Sequence, residues 1–292
     1  MLIRKGDTGK EVKQIQRELD IEADGIFGPV TESAVMRFQA ESTLEIDGIV
    51  GPKTWAELFG LTTDIQESLD SQHGIVINHH ILPKGEYLKG PTKKDWLFLH
   101  HTAGWHNPYR TIDHWGRDSR GRIATEFVLG GPSIFNDEFK YDGEIVKCIP
   151  DGGYAWHLGR NGFQEMHTNS VGIEVCNFGY LKNGKTYAGH TVHPDHCVEL
   201  SKEFKGYKNW HRYSDVQIES LRKLILFIAD RDNIDVREGL PALIKEKGAD
   251  AFEWNREAYY GHVRGLLSHS NTNKGKSDMF PQEELLTMLT EL

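Results

Sequence analysis

The stretch Trp96-Leu97-Phe98-Leu99-His100-His101-Thr102-Ala103-Gly104 constrains the fold of this chain more than any other. Four apolar residues end abruptly in two histidines, a threonine and a small-residue turn. Such a run suits a strand buried on both faces, and its polar end is where the strand opens into a site. Side chains alternate across a strand, so His100 and His101 face opposite ways while the strand continues. At most one of them serves a given metal or substrate. Two hydrogen-bonded histidines at a strand end fit the pattern equally well.

A chain of 292 residues holds one large or two modest domains. Its hydrophobic share of 38% and charged share of 26% are those of a globular protein. No run of 18 apolar residues occurs, so no membrane span is expected. The net charge of -9 argues against nucleic acid or an anionic membrane as the main partner. Cys148, Cys176 and Cys197 are too few for a disulfide framework. The start, MLIRKGDTGKEV, lacks an apolar core of signal-peptide length. Synthesis in a cytoplasm, with any export by another route, is the expectation, as is a monomer.

Residues 1–60 contain an internal echo. Asp24-Gly25-Ile26-Phe27-Gly28-Pro29-Val30-Thr31 returns as Asp47-Gly48-Ile49-Val50-Gly51-Pro52-Lys53-Thr54. The Asp-Gly pairs are turn chemistry, and each proline suits a first helical turn. Val12, Ile15 and Leu19 share a helical face before the first echo, and Ala34, Val35 and Phe38 continue the pattern after it. Three short helices around a small core are predicted. Residues 61–74 are polar and read as a linker, and the apolar pattern resumes at Ile75.

Further along, Thr111 to Trp115 reads as a short helix, and Gly121–Gly130 and Glu144–Ile149 read as strands able to pair. Tyr154-Ala155-Trp156-His157-Leu158-Gly159 is either part of the core or the wall of a sugar or peptide groove. In Ser170-Val171-Gly172-Ile173-Glu174-Val175 an acid interrupts a strand pattern. Glu174 either faces water from an edge strand or sits inside, where it needs a partner or a task. His190, His193, His196 and Cys197 lack a framing element, which argues against a metal site there. His79 and His80 read as structural. Ser214 and Gln217 form a capping box before Ile218, Leu221, Ile225 and Ile228, the buried face of a helix. Residues 237–262 look like an insertion over the surface. Gly265-Leu266-Leu267-Ser268-His269 is another apolar strand ending in a histidine, and a loop then brings Lys276 and Asp278. Residues 282–292 read as a helix.

Two family resemblances join these fragments. Residues 1–60, with the doubled D-G-x-x-G-x-x-T motif, resemble the peptidoglycan-binding domain, which implies attachment to the cell wall. The set LFLHHTAG, AWHLG, SVGIEV and H-x6-KSD resembles the zinc-dependent N-acetylmuramoyl-L-alanine amidases of the type 2 family over residues 75–292. That resemblance implies an α/β fold, a mixed β-sheet flanked by helices with the zinc cleft at the strand ends, beside a small all-α N-terminal domain. It implies Zn2+ held by His100, His269 and Asp278, with Glu174 and Lys276 catalytic. Thr102, Trp156, His157 and Asn161 are then candidate substrate contacts, and peptidoglycan is the partner. The implied activity is hydrolysis of the bond between N-acetylmuramic acid and L-alanine, in the manner of a phage endolysin. A non-catalytic recognition protein or a peptidase cutting within the stem peptide are the competing readings. Two departures stand out: Glu126 lies where many relatives carry a histidine or another polar residue, and the segment from Leu181 to His211 exceeds what a minimal amidase needs.

Overall fold

A computed structural model of the protein describes residues 3–42, 44–59, 73–89, 93–159 and 164–292. Most of the expected linker, and Asn161, lie outside the described residues. Three helices come first: α1 (Lys10–Glu18), α2 (Pro29–Glu41) and α3 (Pro52–Phe59). Pro29 and Pro52 each open a helix, where a missing N–H leaves nothing unpaired. Val12, Ile15, Ala34 and Val35 are buried, with Leu19 and Phe38 packed against the same cluster.

The echo has a hydrogen-bonded cause. The buried Gln16 side chain donates to Asp24 Oδ1 (2.7 Å), the Ile26 carbonyl (3.0 Å) and Thr31 Oγ1 (3.0 Å), and accepts from the Gly25 N–H (2.8 Å). Gln39 repeats the clasp on Asp47 (2.8 Å), Ile49 (3.0 Å), Thr54 (3.2 Å) and Gly48 (2.9 Å). Gly25 and Gly48 have φ of 82° and 70°, so glycine is required at both turns. These helices rest on the rest of the chain. Gln14 donates to the Ile81 carbonyl at 3.4 Å, and the Tyr87 hydroxyl to Glu18 at 2.9 Å.

Among the described residues ten strands follow: β1 (Ile77–His79), β2 (Leu88–Lys89), β3 (Trp96–His101), β4 (Phe127–Leu129), β5 (Ile145–Lys147), β6 (Gly153–Tyr154), β7 (Ser170–Val175), β8 (Cys197–Phe204), β9 (Tyr207–His211) and β10 (Gly265–Ser268). Six form a mixed sheet in the order β1-β5-β4-β7-β3-β10. Within it β4, β7, β3 and β10 run parallel, and β5 pairs antiparallel with β4. The remaining helices are α4 (Pro108–Trp115), α5 (Gln164–Thr168), α6 (Asp215–Asp232), α7 (Leu240–Lys247), α8 (Arg256–Tyr259), α9 (His269–Thr272) and α10 (Glu283–Thr290). Among the described residues, no helix is long and apolar enough to cross a membrane.

Alternation along β3 divides the core. Leu97 and Leu99 pack in the large cluster with α6, whose Ile218, Leu221, Ile225 and Ile228 are buried. Each such side chain contributes at most about 1.5–3 kcal/mol. Trp96 and Phe98 point to the other face, into a smaller cluster with Leu158, Met166 and Leu267. The predicted capping box on α6 is present, with Ser214 Oγ accepting from the Gln217 N–H at 3.0 Å.

Residues 237–262 differ from expectation. They are a buttress, not a surface covering. Leu240 and Phe252 are fully buried, and Ser270 Oγ donates to the Phe252 carbonyl at 2.7 Å. Asn271 Nδ2 donates to the carbonyls of Ala251 (2.8 Å) and Glu253 (3.0 Å). These bonds fix the turn that follows β10.

Candidate metal centre and catalytic cleft

Register assembles the site. β3 pairs β7 with His100 opposite Glu174, and pairs β10 with Leu99 opposite Ser268. His269 therefore emerges beside His100, and Glu174 lies on its other side. Parallel neighbours place all three at the same ends of their strands. Even-numbered positions of β3 and β7 share one face, so Glu174 and His100 project together, above Trp96 and Phe98. His101 takes the opposite face, where its Nδ1 lies 3.0 Å from the Tyr213 hydroxyl.

His100 Nδ1 lies 3.0 Å from His269 Nδ1 and 3.4 Å from Asp278 Oδ2, and His269 Nδ1 lies 3.0 Å from the same oxygen. All three residues are buried, and among the described residues they form the one group of three or more such side chains close enough to hold a metal ion. Zinc with ligands at about 2.0–2.1 Å in a tetrahedron would separate them by about 3.3 Å. Two imidazole nitrogens and a carboxylate oxygen at these spacings fit that ion. Burial drives the His100 pKa down to about 4, which keeps the ring in the neutral form a metal requires. Burial pushes the Asp278 carboxyl up, but the imidazoles of His269 and His100 outweigh it and hold the group well below the usual range.

The far edge of His100 is also fixed. With Nδ1 turned to the centre, Nε2–H donates to His157 Nδ1 at 3.0 Å. His157 Nε2–H then donates to Ser170 Oγ at 2.7 Å, and that hydroxyl donates to the Met166 carbonyl. Outer partners of this kind set the tautomer and orientation of a ligating histidine. Gly172 leaves room for the row, since a Cβ there would stand 3.2 Å from His157 Nδ1 and 2.8 Å from Thr125 Cγ2.

Glu174 borders the cleft without a hydrogen bond among the described residues. Burial raises its pKa to about 8; the Asp278 carboxylate adds to the rise and the Lys276 ammonium opposes it. The cleft encloses about 330 Å³ and is lined by His100, Thr125, His157, Glu174, Lys276 and Asp278, with Arg120 among its other walls. Lys276 is exposed at its edge.

The other singled-out residues fall as follows. Thr102 lines the cleft, but its hydroxyl accepts from the Asn177 N–H at 3.1 Å and donates to the Asn177 carbonyl at 3.3 Å. Trp156 lies against His167, ring centroids 4.9 Å apart, and is not among the cleft walls. Glu126 is buried in an ion network with Arg231 at 2.6 Å and Lys147 at 3.5 Å, turned to structural use. His196 bonds Asn136 at 3.1 Å and His193 caps a short turn, so neither joins a metal group. Sequence reasoning missed Ser170, Arg120 and the Gln16 and Gln39 clasps. The glutamines were findable, because they are separated by the same 23 residues as Asp24 and Asp47.

The family model for N-acetylmuramoyl-L-alanine amidase matches residues 90–278, and that for a peptidoglycan binding domain matches residues 8–58. No curated protein matches. Among solved structures, a peptidoglycan-binding protein from Clostridioides difficile is 44% identical over 20% of this chain and 40% of its own, with a TM-score of 0.20. The endolysin of a Burkholderia AP3 phage is 34% identical over 26% of this chain and 34% of its own, TM-score 0.20. An endolysin N-acetylmuramoyl-L-alanine amidase from Clostridium intestinale URNW is 12% identical over 70% of this chain and 87% of its own, TM-score 0.37. The chain thus spans less than half the length of the first two, and superpositions this loose carry no weight. The family match covers more than half of the sequence and includes the buried His-His-Asp group, Glu174 and Lys276, and the chain belongs to the N-acetylmuramoyl-L-alanine amidase family.

Proposed function

We propose that this protein cleaves the amide between N-acetylmuramic acid and the L-alanine of peptidoglycan stem peptides, as a lysis enzyme of endolysin type. The observation that carries this reading is the buried triad of His100, His269 and Asp278 abreast of a glutamate whose pKa is raised to about 8. The triad would hold a zinc ion, which when bound supplies Lewis-acid polarisation of the scissile carbonyl and a more acidic water. Glu174 takes the proton of the attacking water on its carboxylate and returns it to the departing nitrogen. Its raised basicity suits that exchange near neutral pH. Lys276, at the rim, offsets the negative charge that develops on the carbonyl oxygen. His157 and Ser170 hold the His100 ring in place. In the same reading, residues 75–292 form the catalytic domain, and residues 1–60, joined through 61–74, keep it on the wall.

Digestion of purified peptidoglycan, followed by mass analysis of the fragments with and without a chelator, tests this. Intact stem peptides beginning at L-alanine, absent when chelator is present, are expected. Fragments cut within the glycan strand or the cross-bridge would overturn the assignment.

A further inference from the structure

The segment from Leu181 to His211 gains a role from what it exposes. Trp105, Phe135 and Tyr187 are 36%, 48% and 62% exposed, although aromatic rings ordinarily move inward. They come from three separate parts of the chain and meet in one patch. The Trp105 ring lies 5.1 Å from Phe178, 4.9 Å from His190 and 6.0 Å from Phe135, and Phe178 lies 6.3 Å from Tyr187. Exposed apolar patches of this sort mark contact surfaces.

The patch is preformed. Ile134, Phe178, Leu181 and Val192 make a small buried core beneath it. The His193 N–H donates to the Ile134 carbonyl at 2.8 Å, tying the segment to the Phe135 loop. The Thr186 N–H donates to the His190 carbonyl at 2.9 Å, and Thr186 Oγ1 accepts from the His190 N–H at 3.2 Å. Little conformational freedom remains to be lost on binding.

The patch also starts close to the cleft along the chain. Thr102 and Ala103 line the cleft, and Trp105 follows two residues on, within about 7 Å of backbone. The Gly104 N–H donates to the Asn177 carbonyl at 3.1 Å, which binds this turn to the residue before Phe178. The bond assigned to the cleft joins a sugar to a peptide, so a glycan must leave one end of it.

We propose that Trp105, Phe135 and Tyr187 form a stacking platform for the amino-sugar rings of the glycan strand, next to the muramic acid whose amide lies in the cleft. This inference rests on the amidase reading. Pyranose rings present apolar C–H faces that suit flat, neutral aromatic surfaces.

The test uses the zinc-loaded, full-length chain labelled with 5-fluorotryptophan, the Trp105 fluorine resonance being identified by its loss in Trp105→Phe. The probe is a peptide-free tetrasaccharide of alternating N-acetylglucosamine and N-acetylmuramic acid. The Trp105 resonance should shift saturably. Phe135→Ala and Tyr187→Ala should each raise the Kd read from it about five- to tenfold. Tyr260→Ala, which removes an exposed ring outside the patch, should leave that Kd unchanged. An unmoved Trp105 resonance, or a Kd within twofold of wild type in both patch variants, overturns the proposal. So does a resonance that follows protein concentration and not sugar, which would assign the patch to a second copy of the chain. Wall digestion by the wild-type protein separates the two readings. Stem-peptide release without the Trp105 response removes the platform alone. The Trp105 response without such release removes the amidase reading alone.

Discussion

The clasps at Gln16 and Gln39 and the cleft at His100 are both clusters of buried polar side chains, but they are built on opposite terms. Each clasp closes within one local segment. Its amide nitrogen meets three acceptors, and its amide oxygen meets the N–H of the turn glycine. The cleft draws on three strands and a loop and remains incomplete in itself. Two imidazole Nδ1 atoms face each other at 3.0 Å, and His269 Nε2 is buried without a partner among the described residues. Buried polar groups without partners cost free energy, so they persist where another group completes them or where chemistry uses them. The clasp is polar to shape a turn, whereas the cleft is polar to hold and activate.

Substitutions can break or sharpen that contrast. The largest effect is expected at the ligands. Asp278→Ala should reduce release of stem peptides from purified wall to background, and near-normal release would remove the carboxylate from the centre. Glu174→Gln comes next, with turnover about 10²–10⁴-fold lower. Elemental analysis should find zinc retained in that variant, and its loss would mean that Glu174 serves the metal instead of the proton. The acid limb of kcat/KM should follow the same group. A base must be ionised, so activity falls as pH drops through its pKa. That limb should lie above the ordinary 4.5 and no higher than about 8, because a bound cation draws the value down. A limb at the usual glutamate value would contradict the role of burial.

Smaller effects test the clasp. Gln39→Ala leaves the Gly48 N–H and the Ile49 carbonyl without these bonds and should cost about 1–3 kcal/mol in denaturant unfolding. Cleavage of a small soluble muramoyl peptide should not change, and a loss there would link the clasp to the chemistry. The opposite sign is expected in the cleft. The folded state binds the Glu174 proton more tightly than the unfolded chain, so this group costs stability increasingly as pH rises from 4.5 towards about 8. In the metal-free protein, Glu174→Gln should add about 1 kcal/mol at pH 7. Equal thermal stability of the two forms from pH 5 to pH 8 would show the carboxyl to be well solvated.

Local features were legible in the sequence for local reasons. The apolar run of β3 and its alternation placed His100 and His101 on opposite faces, and the Ser214 cap marked the start of α6. The doubled turn motif predicted three helices. The site was less legible, because His269 and Asp278 reach His100 only through sheet register, far along the chain. No spacing rule links them, and the family resemblance was needed. Residues 237–262 read as peripheral because their aromatic pattern is irregular, yet Phe252 is fully buried beneath the His269 turn. Gln16 and Gln39 were passed over because glutamine on a short helix ordinarily faces solvent.

Zinc stoichiometry in wild type, His100→Ala and His101→Ala tests the central claim most directly, because the two histidines are chain neighbours on opposite faces of one strand. One zinc per chain is predicted for wild type and for His101→Ala, and none for His100→Ala. Equimolar zinc in His100→Ala, or its loss from His101→Ala alone, would contradict the account.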